Sequence, residues 1–394
     1  MSLPLHLCVF EASADAYAAA LLRELRNRHG DAIAPRGFGG PALAAEGCQL
    51  WEATVGGSAM LLGVLRKLAW GRRALRRAKL EFRRAPGVVV LVDSSFVNLR
   101  IARIARREGL PVLYYVAPQV WASRPSRMKQ LARDCDAVAC IFGFEEPLLR
   151  QAGVRATFVG HPLWELEQAA SPGSPTDPWP TRQTHDAPLR IAILPGSRRH
   201  VIRENLPHAL GVAEAFAATR GPACFRVIAA NEACRAWIEQ FGGQALPRVQ
   251  AQIAAGPAGP WLANADAAIV TSGTATLVAA LHGCPMVVVY AGVSRLAWWL
   301  VGRHLVHTRF LSLPNILAGR ALVPEFMPCW PGTAPVLEAL LGVIERRQSL
   351  RSDLLELTSP LRCSGTSQRV ADLVEQLAGL REPLPGMMDR PALR

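Results

Sequence analysis

The feature that most constrains this chain is a twice-run alternation of short β-branched segments with helical patterns. Apolar runs bounded by turns occur at Leu5 to Val9, Val88 to Val92, Val112 to Val116 and Ala137 to Ile141. Strands alternating with helices give a parallel sheet covered on both faces. The pattern stops at Glu165 to Pro188, which holds five prolines and no periodicity, as an inter-domain linker does. It then resumes at Arg190 to Leu194, Arg226 to Ala230, Ala267 to Val270 and Met286 to Tyr290. At 394 residues the chain also exceeds the roughly 250 to 300 residues at which single cores stop growing. The expected fold is therefore α/β, with two doubly wound, Rossmann-like parallel-sheet domains facing across a cleft. The expected boundaries are residues 1–164 for a first domain, 165–188 for the linker and 189–350 for a second domain. A C-terminal helical segment at 351–380 is expected to pack back on the first domain, followed by a tail at 381–394.

The formal charge of +13 predicts attraction to a polyanion without choosing which. Its placement is more telling. From Thr54 to Leu80 there is no acidic residue, while Arg66, Lys67, Arg72, Arg73, Arg76, Arg77 and Lys79 share a helical pattern with Met60, Leu61, Leu62, Val64, Leu65, Leu68 and Trp70. Basic and apolar residues on one helix suit an anionic bilayer surface better than a nucleic-acid duplex. The segment Arg295 to Phe310, with Trp298, Trp299, Arg303, His304 and Arg309, reads as a second interfacial element or as a partly buried helix. Nine cysteines without Cys-x-x-Cys pairs fit neither a disulfide framework nor a zinc site and point to a reducing compartment. The N-terminus lacks the charged and apolar regions of a signal peptide, and no run of about 18 apolar residues is free of charge. The expected location is cytoplasmic.

Two turns suit a phosphate. Ile193 to His200, ILPGSRRH, sets Gly196, Ser197 and Arg198 between a strand and a helix. Ligands of open parallel sheets sit at the carboxyl ends of strands, where backbone N–H groups and a forked Arg hold anions. Val270 to Leu277, VTSGTATL, repeats the arrangement with Ser272, Gly273 and Thr274. Capping alone explains Ser or Thr at either turn; two such turns in one sheet are a stronger signal. Neither matches a P-loop, and no GxGxxG follows a strand. In the first domain Asp93 ends the apolar strand of LVDSSFVN, where a carboxylate serves either as a proton acceptor or as a helix cap. Glu11 and Asp15, after the first strand, carry the same two readings, and His161 in VGHPL reads as a packed hinge residue or a cleft residue.

The segments GGPALAAEGC, YVAPQVWA, FVGHPL, LPGSR, SGTATL, GCPMVVVY and SLPNILAGRALVPE, in that order and spacing from about Leu5 to Leu377, resemble the lipid-A-disaccharide synthase family. The resemblance implies the two-lobed GT-B type glycosyltransferase fold and a metal-independent, cofactor-free hexosyl transfer. It implies a UDP-2,3-diacylglucosamine donor and an acylated glucosamine 1-phosphate acceptor, with work done at the cytoplasmic face of the inner membrane. A second copy of the chain is also an expected partner, and nucleic acid is not. By position, Asp93 matches the family's candidate base, Asn98 the Asn of its Asp-Ala-Pro-Asp-Phe-Asn motif, and Arg198 the Arg of LPGSR. Asn315 matches the Asn of its LPN loop, and Ser272 to Thr274 its donor-site turn. The chain departs from the family with FEASAD, where Phe10 and Ala14 replace glycines, with Phe96 at the second acid of DSSFVN, and with Val201, Val278 and Pro328 at polar positions. Those departures keep two alternatives in view: a related transferase with another acceptor, and a catalytically impaired homologue that binds the membrane surface.

Overall fold

The computed structural model describes residues 2–55, 64–118, 126–170, 179, 187–221, 223–292 and 309–381, with backbone only at 64–68 and 126. The chain divides into two compact units, Met1–Leu166 with Cys363–Arg394, and Glu167–Arg362.

The first unit holds seven strands: β1 (Leu3–Val9), β2 (Ile33–Gly39), β3 (Gln49–Ala53), β4 (Val88–Val92), β5 (Val112–Tyr115), β6 (Ala137–Cys140) and β7 (Ala156–Phe158). Their order is β3-β2-β1-β4-β5-β6-β7, and every pairing is parallel. Strands β4, β5 and β6 are buried along their whole length, which is why they read as unbroken apolar runs. The second unit holds β8 (Arg190–Leu194), β9 (Cys224–Ala229), β10 (Gln252–Ala255), β11 (Ala267–Thr271), β12 (Met286–Val289) and β13 (Glu325–Phe326). Their order is β10-β9-β8-β11-β12-β13, again wholly parallel. Both units are α/β sheets, as expected.

Two boundaries differ from the sequence reading. The helix Pro162–Ala170 takes up the first residues of the expected linker, because Pro162 opens a helix well at its first position and WELEQAA holds helix formers. Beyond it, Trp179 is buried and its indole N–H donates to the Trp261 carbonyl at 2.8 Å, anchoring the Pro-rich segment to the second unit. Residues 171–178 and 180–186 lie outside the described residues. At the C-terminus the change of unit comes at Cys363 and not at 351. The helix Arg347–Thr358 belongs to the second unit: Arg351 donates to the carbonyls of Ala263 and Ala265, and Thr358 Oγ1 to that of Ala280. Only the last helix, Thr366–Leu377, lies on the first unit. There Arg28 pairs with Asp372 at 2.7 Å and Glu375 at 3.1 Å, and Arg369 donates to the Val159 carbonyl.

The helix Val64–Arg84 carries the described part of the expected basic and apolar pattern. Ala74, Ala78 and Phe82 are core residues, with Trp70 and Leu75 packed against them. Its described apolar stripe therefore faces the protein. Arg72, Arg73, Arg76, Arg77 and Lys79 are exposed. The described outward side of the helix is mainly basic, with Leu80 also exposed. The side chains of Val64, Leu65, Arg66, Lys67 and Leu68, and all of Met60, Leu61, Leu62, Arg295, Trp298, Trp299, Arg303 and His304, lie outside the described residues.

Candidate functional site

In each unit the strand order reverses at one point, between β1 and β4 in the first and between β8 and β11 in the second. Ligands of doubly wound sheets bind at the carboxyl ends of the strands flanking that reversal. Every strand-end motif singled out in the sequence, apart from His161 and Asn315, follows one of these four strands.

In the second unit Leu194 pairs with Val270, so the two turns leave neighbouring strands side by side. After β8, Gly196 has φ 109°; a Cβ there would lie 2.6 Å from Val201 Cγ1 and 3.9 Å from Thr271 Cγ2. Glycine is thus required twice over, by its backbone and by its neighbours. Ser197 and Arg198 follow, exposed, before the helix Arg199–Arg220. After β11, Ser272 donates its N–H to the Val289 carbonyl, and Gly273 has φ 136° with open space where a Cβ would stand. Gly273 and Thr274 are exposed and start the helix Thr274–Leu281, whose Thr276 hydroxyl donates to the Gly273 carbonyl at 2.8 Å. Small exposed residues at two adjacent helix starts, with Arg198 beside them, suit an anion held by backbone donors. Val201 and Val278 are both buried; Val201 packs over Gly196, which accounts for an apolar residue there.

In the first unit Asp93 follows β4 with φ 52°, and Ser94 with φ 47°. Two successive non-glycine residues in the left-handed region represent strain of roughly 1 to 3 kcal/mol each, of the kind that collects at functional sites. Asp93 N–H still donates to the Tyr115 carbonyl at 3.1 Å. Its carbonyl accepts from Tyr114 Oη at 2.7 Å and from Asn98 Nδ2 at 2.8 Å, and its Oδ1 accepts the Ser94 N–H at 2.7 Å. Phe96, in the first turn of the helix Ser95–Arg107, is 57% exposed with the Arg100 guanidinium 4.4 Å over its ring. Arg127 donates to Ser95 Oγ at 2.7 Å. Glu11 precedes the helix Ala12–His29 and is half-buried.

Four of the singled-out residues are buried and bonded to the protein's own groups. Asp15 is buried, and its carboxylate accepts the N–H groups of Gly40, Ala42 and Leu43 at 2.7, 2.9 and 3.4 Å; it caps the helix Pro41–Ala45. Asn98 is fully buried and spans the carbonyls of Cys8, Val92 and Asp93. His161 is buried against Tyr17 and Phe142 and accepts the Leu163 N–H through Nδ1. Burial lowers its pKa to about 3, so the ring is neutral. Asn315 is fully buried: it donates to the Val323 carbonyl and Glu325 Oε2 and accepts from the N–H groups of Leu322 and Val323. That fills all four hydrogen-bonding positions of a carboxamide, so the Asn315 side chain ties down the loop before β13. Phe10, at a family glycine, is likewise buried against Phe38 and Trp70.

Tyr114 and Glu325 escaped the sequence reading. Tyr114 sits in a run that reads as core, and nothing local reveals which carbonyl its hydroxyl meets. Glu325 ends SLPNILAGRALVPE and accepts from Leu311, Ser312 and Asn315; a charge closing an apolar loop was the available signal. Among the described residues no group of three His, Cys, Asp or Glu stands as metal ligands, and no helix is long and apolar enough to cross a membrane.

Comparison with known proteins gives the same direction. A protein-family model described as Lipid-A-disaccharide synthetase matches residues 5–353. The chain is 34% identical to a lipid-A-disaccharide synthase of Syntrophus aciditrophicus, over 92% of this chain and 94% of that one. It is 37% identical to another from Anaeromyxobacter dehalogenans, over the same shares. Among solved structures, an S. aureus MnaA–UDP co-structure aligns with TM-score 0.64 at 11% identity, over 98% of this chain and 99% of the other. Acinetobacter baumannii MurG aligns with TM-score 0.52 at 16% identity, over 95% and 100%. At such identities these structures speak for the fold alone.

Proposed function

The chain belongs to the lipid-A-disaccharide synthase family, and on that premise we propose that it joins UDP-2,3-diacylglucosamine to 2,3-diacylglucosamine 1-phosphate, releasing UDP. The observation that carries this reading is the pair of glycine turns that leave neighbouring strands β8 and β11 side by side, an arrangement that suits a diphosphate held by backbone donors. Asp93, on its strained turn, takes the proton of the acceptor 6-hydroxyl. That oxygen attacks the donor anomeric carbon as the bond to the UDP oxygen breaks, and the configuration inverts. The leaving diphosphate gathers negative charge, which Arg198, the backbone donors at Gly196 to Ser197 and Gly273 to Thr274, and the Ser272 hydroxyl stabilise. Membership of the lipid-A-disaccharide synthase family, with a UDP-bound protein among its relatives in fold, supports a UDP-sugar donor. Glu11, beside β1, lies on the acceptor side of this reading.

The same proposal places the chain at an anionic membrane face, held by the exposed basic side of the helix Val64–Arg84 and not by an inserted apolar face. A different acceptor is the second reading, favoured by exposed Phe96 where the family carries an acid. The test is disaccharide 1-phosphate formation in mixed micelles by the native chain and by Asp93→Ala. Product from the native chain that falls by about 10²- to 10⁴-fold in the variant supports the synthase and its base. No product from the native chain, with UDP still bound, moves the reading to another acceptor.

A further inference from the structure

Strand β5 carries two tyrosines in sequence, Tyr114 and Tyr115, both fully buried. Phenylalanine would fill such space as well, so a hydroxyl in this position calls for a partner. The Tyr115 hydroxyl finds none among the described residues. Tyr114, paired with Leu91 on β4, reaches one residue beyond the end of that strand to the Asp93 carbonyl at 2.7 Å. In a regular parallel ladder that carbonyl would point to a neighbouring strand's N–H. Here φ 52° at Asp93 turns it aside, while the Asp93 N–H keeps its ladder bond to Tyr115. The turned carbonyl accepts from two side chains, Tyr114 and Asn98. Burial raises the Tyr114 pKa well above its ordinary value, so the phenol remains a donor throughout any working pH. The next strand end is strained too, with Val116 at φ 55°.

We propose that Tyr114 is a positioning residue for Asp93: its hydroxyl, together with the Asn98 carboxamide, clamps the Asp93 carbonyl and holds the left-handed turn that aims the carboxylate. This rests on Asp93 being the base. Tyr114 touches neither substrate; it acts by keeping Asp93 and Ser94 in a conformation that they would otherwise leave.

The experiment compares the native chain, Asp93→Asn, Tyr114→Phe and Tyr114→Phe/Ser94→Gly in steady-state disaccharide synthesis. Tyr114→Phe lowers kcat about ten- to a hundredfold, with KM for both sugars within about threefold of native. Adding Ser94→Gly, which takes up a positive φ without a Cβ penalty, recovers at least about fivefold of the lost kcat. The double variant, whose turn needs no clamp, is also the folded substitute if Tyr114→Phe alone does not fold; it then retains at least a tenth of native kcat. A kcat within twofold of native in Tyr114→Phe overturns the proposal, as does a loss that Ser94→Gly leaves untouched, since packing damage would not respond to backbone relief. Activity retained in Asp93→Asn removes the premise itself. A native chain without synthase activity instead strikes the functional reading.

Discussion

The Asn315 carboxamide makes four hydrogen bonds to Val323, Glu325, Leu322 and Val323 in turn, so its removal leaves several buried groups unpaired. Asn315→Ala is expected to lose about 2 to 4 kcal/mol of stability in urea unfolding, whereas a direct ligand contact would weaken UDP binding with stability intact. His161 allows a second check. Its pKa is about 3 in the folded chain against 6.5 ordinarily, so between those values the unfolded state binds more protons. Stability is full above about pH 6.5 and falls as pH drops through the window, by up to about 1.4 kcal/mol per unit. His6, buried with its pKa also lowered, acts in the same direction. His161→Asn keeps an acceptor for the Leu163 N–H and removes the titration. Thermal unfolding between pH 6.5 and 4.5 should be measurably flatter in the variant; an unchanged slope assigns the effect to other groups.

Turns and strands differ in how plainly the sequence announces them. Gly196 and Gly273 both take positive φ, yet only the first is crowded, with Val201 Cγ1 2.6 Å from a built Cβ. Gly196→Ala is therefore expected to lose about 2 kcal/mol or more in unfolding experiments and to weaken UDP binding in calorimetry. Gly273→Ala, strained in backbone alone, loses less stability while filling the open side of the turn, so its larger effect falls on UDP. These turns were legible because each joins a long apolar strand to a helix. Central strands β1, β4, β5, β6, β8, β11 and β12 were legible for the same reason: burial on both faces leaves unbroken apolar runs. Strand β2 was not, since IAPRGFG carries a proline and two glycines, and β13, two residues long, has no pattern to read. The partners of Asn315 and Asp15 were not legible because a polar residue near a motif looks alike whether it meets ligand or backbone. Only the fold decides, by bringing Asp15 to Gly40 and Asn315 to Val323. Tyr114 shows the limit most clearly, because strand register alone sets its hydroxyl against Asp93.

At the scale of the whole chain the question is what the +13 charge does. Burial of Ala74, Ala78 and Phe82 turns these apolar residues of the helix Val64–Arg84 inward, and the membrane contact proposed for it is electrostatic. Buried Glu81 pairs with Arg77 at 3.0 Å and Arg84 at 3.6 Å, and Glu108 with Arg83 at 2.8 Å. Arg72, Arg73 and Arg76 are exposed without an acidic partner among the described residues. Each basic residue near an anionic surface contributes about 1 kcal/mol, and the contribution is screened within a Debye length of about 8 to 10 Å at physiological salt. Binding to phosphatidylglycerol-rich vesicles should then weaken steeply from 50 to 500 mM NaCl. Reversing all three arginines to glutamate should lower it by more than about a hundredfold, with activity in neutral micelles unchanged. Apolar insertion predicts the opposite pattern: binding that persists in high salt and survives the reversals. Such persistence would shift the membrane contact from this helix face to another part of the chain.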